Sequence, residues 1–151
     1  MKSYKLGIVE DLFISKEDIK DRLNQSEIVV DESGVFIDKF YDKDINRSVL
    51  ITSINSYEIA ANKGVKLIYG QLGENILVDF PLSRLHEGDR LQISDVLLEI
   101  TQHCTLCDHL SCLDPNLPVI LEKDRGIFAK VIEGGLIRSE DTIYCIGNLN
   151  G

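Results

Sequence analysis

The chain has 151 residues, of which 25 are Asp or Glu and 16 are Lys or Arg, so its formal net charge at neutral pH is −9. This length suits one domain, residues 1–151, with a sizeable hydrophobic core. The acidic balance disfavours nucleic acid as a partner, because phosphates must be matched by a basic surface.

The N-terminal segment, residues 1–7, lacks the apolar core of a signal peptide. No apolar run approaches the length needed to cross a bilayer, so we expect no membrane partner. These features predict a cytoplasmic protein, in which thiols are mostly reduced. The cysteines are therefore interpreted as metal-binding, catalytic or buried residues and not as a disulfide framework.

The first part of the chain predicts strands around one helix. Tyr4–Val9 alternates as a strand does, and Ser15 followed by acidic residues predicts a helix that runs to about Asn24. Ser26–Val30 is apolar and β-branched, which favours a strand. After a turn at residues 31–34, Val35–Phe40 continues as a further strand.

The middle of the chain combines strands with a second helix. Arg47–Thr52 is strongly β-forming, and Ser56 predicts the cap of a short helix, Tyr57–Asn62, which ends at Gly64. A turn bracketed by Gly70 and Gly73 then leads into a strand through residue 80.

The last third predicts a hairpin of Arg90–Ile93 and Val96–Thr101, joined by a two-residue turn. A short helical segment follows near Pro118, and Arg125–Ile132 and Ile143–Ile146 are strands. The count is about nine strands and three short helices. Many short strands with glycine turns predict a mainly β fold, a closed or nearly closed β-barrel.

Residues 99–112 hold three of the four cysteines and two of the three histidines, directly after an apolar strand. Cys107 is a candidate nucleophile or metal ligand, since a thiolate serves either role, or else a buried apolar residue. A second reading is a zinc site, with ligands Cys104, Cys107, His109 and Cys112. Cys104 and Cys107 could also form a reversible disulfide, and Cys145 is expected in the core.

The order of the motifs resembles that of the MOSC domain family, named for the C-terminal domain of molybdenum-cofactor sulfurases and also found as small stand-alone bacterial proteins. The resemblance covers about residues 34–143. Its motifs are Gly34 with Asp38-Lys39, Arg47-Ser48-Val49, Gly70 through Gly73-Glu74-Asn75, Leu85 with Gly88-Asp89, Leu98 to Gln102 leading to Cys107, Arg125-Gly126 with Ala129-Lys130-Val131, and Gly135 to Asp141.

The resemblance implies a barrel-like domain with one functional cysteine, which falls on Cys107. In the family this residue is thought to carry sulfur or to ligate the metal of a molybdenum cofactor. The chain departs from the family pattern at four positions: Cys104 replaces an Arg, Leu106 a Pro, Ile37 a Gly and Phe40 a His. No pyridoxal-phosphate domain is present, so the chain is not expected to desulfurate cysteine by itself.

Molybdopterin carries a phosphate, which Arg binds with a bidentate fork. Arg47, Arg125 and Lys130 are therefore the candidate anion cradle, with an ordinary surface or ion-pair role as the alternative. Asp38 and Lys39 form either a pocket pair or a plain turn. Asn75 either donates its amide to a pterin or phosphate, or satisfies the backbone of its own turn.

The leading hypothesis is a stand-alone MOSC domain protein that binds a molybdenum cofactor or carries sulfur as a persulfide on Cys107. As an enzyme it would be a sulfur transferase or a molybdenum-cofactor-dependent reductase of N-hydroxylated compounds. Its expected partners are the anionic pterin cofactor or a sulfur donor or acceptor protein. The alternatives are a non-catalytic zinc-binding module at residues 104–112 and a degenerate domain used for protein contacts.

Overall fold

The computed structural model describes residues 3–104 and 108–146, and Cys107 lies outside this part of the chain. The strands are β1 Ser3–Ile14, β2 Leu23–Gln25, β3 Glu27–Asp31, β4 Gly34–Val35, β5 Val49–Ser53, β6 Ile76–Val78, β7 Arg90–Ile93, β8 Val96–His103, β9 Ile127–Glu133, β10 Gly135–Arg138 and β11 Thr142–Ile146. The helices are α1 Ile54–Asn62, α2 Asp108–Leu113 and α3 Leu117–Ile120, with 3₁₀ turns at Ile45–Arg47 and Leu82–Arg84.

Seven strands form a closed barrel in the order β11-β7-β8-β9-β5-β6-β1, and the antiparallel pairing of β1 with β11 closes it. The β5–β6 pair is parallel, whereas the other pairs in the barrel are antiparallel. Strands β10, β3 and β4 form a small second sheet. The expectation of a mainly β, closed barrel with a few short helices is confirmed.

Alternation of side chains along the strands builds the core inside the barrel. In β8, Val96, Leu98 and Ile100 are buried in it, while Leu97 and Glu99 between them are only half-buried. Successive side chains of a strand point to opposite faces, so one face fills the barrel and the other remains for contacts outside it.

The three helices cover part of the outer face of the barrel. Phe13 in β1 and Leu77 in β6 belong to a second apolar cluster, outside the barrel core, together with Tyr57 of α1, Leu110 of α2 and Leu117 of α3. The helices therefore form a partial second layer. No helix in the described ranges is both long enough and apolar enough to span a lipid bilayer.

The predicted helix from Ser15 to Asn24 is wrong. Residues 15–22 form turns and bends, and Leu23–Gln25 is the strand β2, which pairs with the end of β1. Asp18 has a φ of 66°, which a right-handed helix does not accept. Ser15 is held instead by Asp38, because the Ser15 N–H donates to Asp38 Oδ1 at 2.6 Å.

Two further boundaries differ from the sequence expectation. The strand predicted at Val35–Phe40 ends at Val35, and Ile37 has a φ of 63°. Helix α1 is capped by Ser53, whose hydroxyl accepts from the Asn55 N–H at 3.1 Å, and not by Ser56. The hairpin of β7 and β8 is confirmed, with residues 94 and 95 in its turn.

Candidate functional site

A cavity of about 570 Å³ lies against the outer face of the barrel, where β5 pairs with β9. Leu50 and Phe128 face each other across this pair, and both line the cavity. Their strand neighbours Ile51 and Ala129 are buried in the barrel core. The floor of the cavity is thus the outward row of side chains on these strands.

The cavity is rich in positive charge although the chain is acidic. Six of the described residues that line it are cationic, whereas only Asp21 and Asp44 are anionic. The six are Lys20, Arg22, Lys39, Lys43, Arg47 and Arg125. A concave site with one prevailing sign of charge concentrates small ions of the opposite sign, so the cavity favours anions.

Arg47 and Arg125 are each held by the protein. Arg47 ends the 3₁₀ turn, and its guanidinium carbon lies 5.3 Å from the centre of the Phe128 ring. Nη2 of Arg125 donates to the Pro118 carbonyl at 2.8 Å, which ties this residue to α3. The structure therefore brings these two predicted cations to the same cavity in anchored positions.

Asp38 supports a turn, and Lys39 lines the cavity beside it. Asp38 is buried, and its Oδ1 accepts from the N–H and from the hydroxyl of Ser15 at 2.6 and 2.9 Å. Its Oδ2 accepts from the Phe40 N–H at 3.0 Å. The carboxylate thus joins residues 15 and 38–40 into one wall of the cavity.

The side chain of Asn75 bridges three segments. Oδ1 accepts from the Leu50 N–H at 3.1 Å, and Nδ2 donates to the Phe13 carbonyl at 3.2 Å and to Asp38 at 3.4 Å. Asn75 therefore lines the cavity with an amide that already bonds to backbone and to Asp38.

Lys130 is not brought to the cavity. Its Nζ lies 3.3 Å from Glu99 Oε2, and Glu99 also pairs with Arg90 at 3.2 Å. Glu99 and Lys130 oppose each other across β8 and β9, which explains the contact.

The cysteines are distributed over three environments. Cys104 is half-buried and lines the cavity, Cys112 is exposed, and Cys145 is buried in the core as expected. Cys107 and the side chain of His109 lie outside what the structure describes. The zinc site, which needs both, stays a prediction; the described residues contain no group of three or more His, Cys, Asp or Glu placed to hold a metal.

Comparison with known proteins identifies the family. A family model of the MOSC domain matches residues 43–144. The chain belongs to the MOSC domain family. No curated protein matches the MOSC chain.

Solved structures share the fold of this MOSC protein at low sequence identity. The YuaD protein of Bacillus subtilis superposes with a TM-score of 0.83 at 19% identity, covering 95% of this chain and 97% of YuaD. YiiM of Escherichia coli superposes with a TM-score of 0.66 at 17% sequence identity, covering 91% of this chain and 69% of YiiM. YiiM of Geobacillus stearothermophilus superposes with a TM-score of 0.69 at 15% sequence identity, covering 97% of this chain and 76% of that YiiM. At these identities the likeness establishes the fold.

Two features of the MOSC site were missed at the level of sequence. The first is Arg22, which was placed on the predicted helix and instead lines the cavity, with its guanidinium carbon 5.6 Å from the Phe40 ring centre. Lys39 Nζ lies 5.1 Å from the same ring. No local signal links Arg22 to Phe40, because their contact depends on the turn that Asp38 holds.

The second missed feature is a buried network beneath the loop of residues 70–73, which lines the cavity. The Tyr57 hydroxyl donates to Glu74 Oε2 at 2.6 Å and accepts the N–H groups of Gly70 and Leu72 at 2.9 and 3.2 Å. The Thr52 hydroxyl donates to the same Glu74 oxygen at 2.7 Å. Glu74 is fully buried, and its Oε1 has no hydrogen-bond partner among the described residues.

Burial governs the protonation of these groups. It raises the pKa of Glu74 above the ordinary carboxyl value, although hydrogen bonds from Tyr57 and Thr52 oppose the shift. Burial also raises the pKa of Tyr57, and the charge of Glu74 adds to the effect. For Arg22, burial lowers the pKa, and the nearby Asp38 counteracts it. Tyr57 is therefore a neutral hydrogen-bond donor throughout the physiological pH range.

Proposed function

We propose that this MOSC protein binds the anionic pterin of a molybdenum cofactor, or carries sulfur on Cys107, at the cationic cavity on the β5–β9 face. The observation that carries the proposal is the cavity itself, with cations on its walls and Cys104 and Leu110 among its lining residues. Cys107 lies three residues after Cys104 and three before Leu110 in the sequence. The chain on both sides of Cys107 thus belongs to the cavity wall.

The donor set suits a phosphorylated pterin. Arg47 and Arg125 present guanidinium groups, which bind phosphate with paired N–H donors. The cavity volume lies within the range of small-molecule sites, about 300–1,000 Å³. In this proposal Arg47 and Arg125 hold the phosphate, and the Cys107 thiolate ligates molybdenum, for which a thiolate is a suitable soft ligand. Lys130 has no part in the proposal because its ion pair lies outside the cavity.

With a molybdenum cofactor bound, the metal supplies two-electron redox chemistry, and N-hydroxylated compounds are the proposed substrates for reduction. The chain itself supplies binding and orientation. Lys39 and Arg22 add positive charge on the wall built by Asp38 and Asn75, and the apolar Leu50 and Phe128 restrict water at the floor.

In the sulfur-carrier version, the Cys107 thiolate attacks the outer sulfur of a donor persulfide. The S–S bond of the donor breaks, the donor leaves as a thiolate, and Cys107 becomes a persulfide. A thiolate of an acceptor protein then attacks the outer sulfur, the S–S bond breaks, and Cys107 leaves as a thiolate while the acceptor becomes the persulfide. The cations of the cavity favour this chemistry because nearby positive charge lowers the pKa of a thiol.

The test compares Cys107→Ser with Cys112→Ser, which removes an exposed cysteine that does not line the cavity. The protein as isolated is analysed for molybdenum, and persulfide is measured by alkylation and mass spectrometry after exposure to a low-molecular-weight persulfide. We expect molybdenum or the extra sulfur in the wild type and in Cys112→Ser, and neither in Cys107→Ser. Equal amounts of molybdenum and of extra sulfur in Cys107→Ser and Cys112→Ser would rule out both versions of the proposal. The metal analysis distinguishes the cofactor version from the sulfur-carrier version.

A further inference from the structure

We infer that Arg22 and Lys39 form a second anion subsite of the cavity, which binds the carboxylate of an organic acid with an apolar body. Nothing in the cofactor-binding role of Arg47 and Arg125 requires these two residues. Both precede residues 43–144, which match the family model. If the bound acid is the substrate of the protein, that assignment rests on the proposed function, whereas the binding of an acid at Arg22 and Lys39 does not.

The inference rests mainly on the Arg22 side chain, which is mostly buried and lacks a hydrogen-bond acceptor among the described residues. Its side chain is only 17% exposed, and it donates no hydrogen bond to any other residue that the structure describes. Its nearest anion is Asp38, whose Oδ1 lies 3.8 Å from Nη1, beyond hydrogen-bond distance. Burying a charged group is costly unless that group is hydrogen-bonded, so a guanidinium in this position is best satisfied by a ligand oxygen.

Asp38 does not supply the hydrogen-bond acceptor that the Arg22 guanidinium lacks. Its two oxygens already accept four hydrogen bonds, from residues 15, 40 and 75, so it is committed to the turn and its support. Counting Arg22 and Lys39 against Asp38 leaves one net positive charge at the subsite. A monoanion such as a carboxylate matches that charge more closely than a phosphate dianion does.

The position of Arg22 separates it from the proposed phosphate site. A Cβ at Gly73 would lie 3.6 Å from Nη2 of Arg22 and 3.9 Å from Cδ2 of Leu50, and a Cβ at Gly126 would lie 3.0 Å from Cδ1 of Leu50. Arg22 Nη2 is therefore close to Gly73, whereas the guanidinium of Arg125 is held at the Pro118 carbonyl by its own hydrogen bond.

The floor between the two cationic groups is apolar. It is provided by Leu50 and Phe128 from the barrel, with Leu72, Leu110 and Leu113 from the surrounding segments. An acid with a hydrophobic body would bury that body on this surface while its carboxylate pairs with Arg22. A benzoate-sized acid should therefore bind more tightly than acetate.

The experiment is calorimetric titration of the full chain with benzoate, acetate and inorganic phosphate at constant ionic strength. We expect benzoate to bind the wild type, and acetate to bind more weakly. Arg22→Gln should weaken benzoate binding about tenfold or more, because it removes a charge-assisted hydrogen bond. Arg90→Gln is the matched control, since it removes an arginine that pairs with Glu99 outside the cavity, and should bind as the wild type does.

Lys39→Gln serves as the second variant in case Arg22→Gln does not fold, and should also bind benzoate less tightly. Benzoate binding that is absent from the wild type, or unchanged in the folded variants of Arg22 and Lys39, would overturn the inference. Arg22-dependent binding of phosphate tighter than that of benzoate would overturn the carboxylate assignment. Benzoate binding is measured on the protein without added molybdenum or persulfide, so a failure of the molybdenum or sulfur chemistry is distinguishable from a failure of this subsite.

Discussion

Replacing Tyr57 by Phe should destabilise the protein through three hydrogen bonds and almost nothing else. Phe keeps the buried ring and its packing against Tyr69, whose centroid lies 5.0 Å away. The change removes the donor to Glu74 and the acceptor for the N–H groups of Gly70 and Leu72. It therefore isolates the hydroxyl as the group that ties the 70–73 loop to α1.

The loss of stability expected for Tyr57→Phe follows from the number of hydrogen bonds that it removes. A hydrogen bond within a protein contributes roughly 1 kcal/mol net, and buried partners left without one cost more, so three bonds predict a loss of about 3 kcal/mol. For a chain of this size, that loss lowers the melting temperature by roughly 6–12 °C. Since the hydroxyl also orders a cavity loop, the amides of Gly70 and Leu72 should exchange their hydrogens faster than in the wild type.

The assay is urea unfolding with the same m-value for both proteins, combined with amide exchange at residues 70 and 72. Tyr144→Phe is the control, because that tyrosine is partly exposed and its hydroxyl makes no hydrogen bond to another described residue. It should change stability by less than about 0.5 kcal/mol. A loss below about 1 kcal/mol for Tyr57→Phe, with unchanged exchange at both amides, would refute the role given to the hydroxyl.

Three further predictions concern the wall and floor of the site. The raised pKa of Glu74 means that the folded state holds this proton more tightly than the unfolded state. Its contribution to stability is therefore complete below the ordinary carboxyl pKa of 4.5 and declines as the pH rises towards the folded value. Glu74→Gln, which cannot titrate, should gain stability relative to the wild type as the pH increases above 4.5; a difference independent of pH in urea titrations would contradict this. Gly126→Ala should lose about 1–3 kcal/mol, because φ is +143° and the new Cβ would lie 3.2 Å from the Ile51 carbonyl oxygen; a melting temperature equal to that of the wild type would disagree. Lys130→Gln should cost less than about 1 kcal/mol and leave benzoate binding unchanged, since its ion pair is partly exposed and outside the cavity; weakened binding in the calorimeter would count against that placement.

The sequence predicts best those elements whose determinants are close together in the chain. The β7–β8 hairpin is an example, because its alternation and its two-residue turn are local. The helix predicted from Ser15 failed because the partner of Ser15 is Asp38, 23 residues later. That contact, together with the pairing of β2 to β1, outweighs a capping pattern with few apolar residues behind it.

The residues of the candidate site show the same difference between those that the sequence predicts and those whose position depends on distant contacts. Arg47, Arg125 and Asn75 can be predicted from the sequence because they stand in the motifs by which it resembles the MOSC family. Arg22 could not, since it reaches the cavity only through the irregular segment that replaces the predicted helix. The sequence also predicts Lys130 among the cations of the site, but Lys130 pairs with Glu99, and the strand register that opposes these two residues is not visible in the sequence.

The junction of β1 with β11 has a consequence for how the protein is made. Ser3 and Ile146 are partners in that ladder, so the wall of the barrel is completed by segments from distant parts of the chain. During synthesis on the ribosome, β1 emerges early and has to wait for β11 before its outer edge is paired. An unpaired strand edge readily joins another nascent chain, so molecular chaperones should matter most for this protein until β11 has left the ribosome and paired with β1.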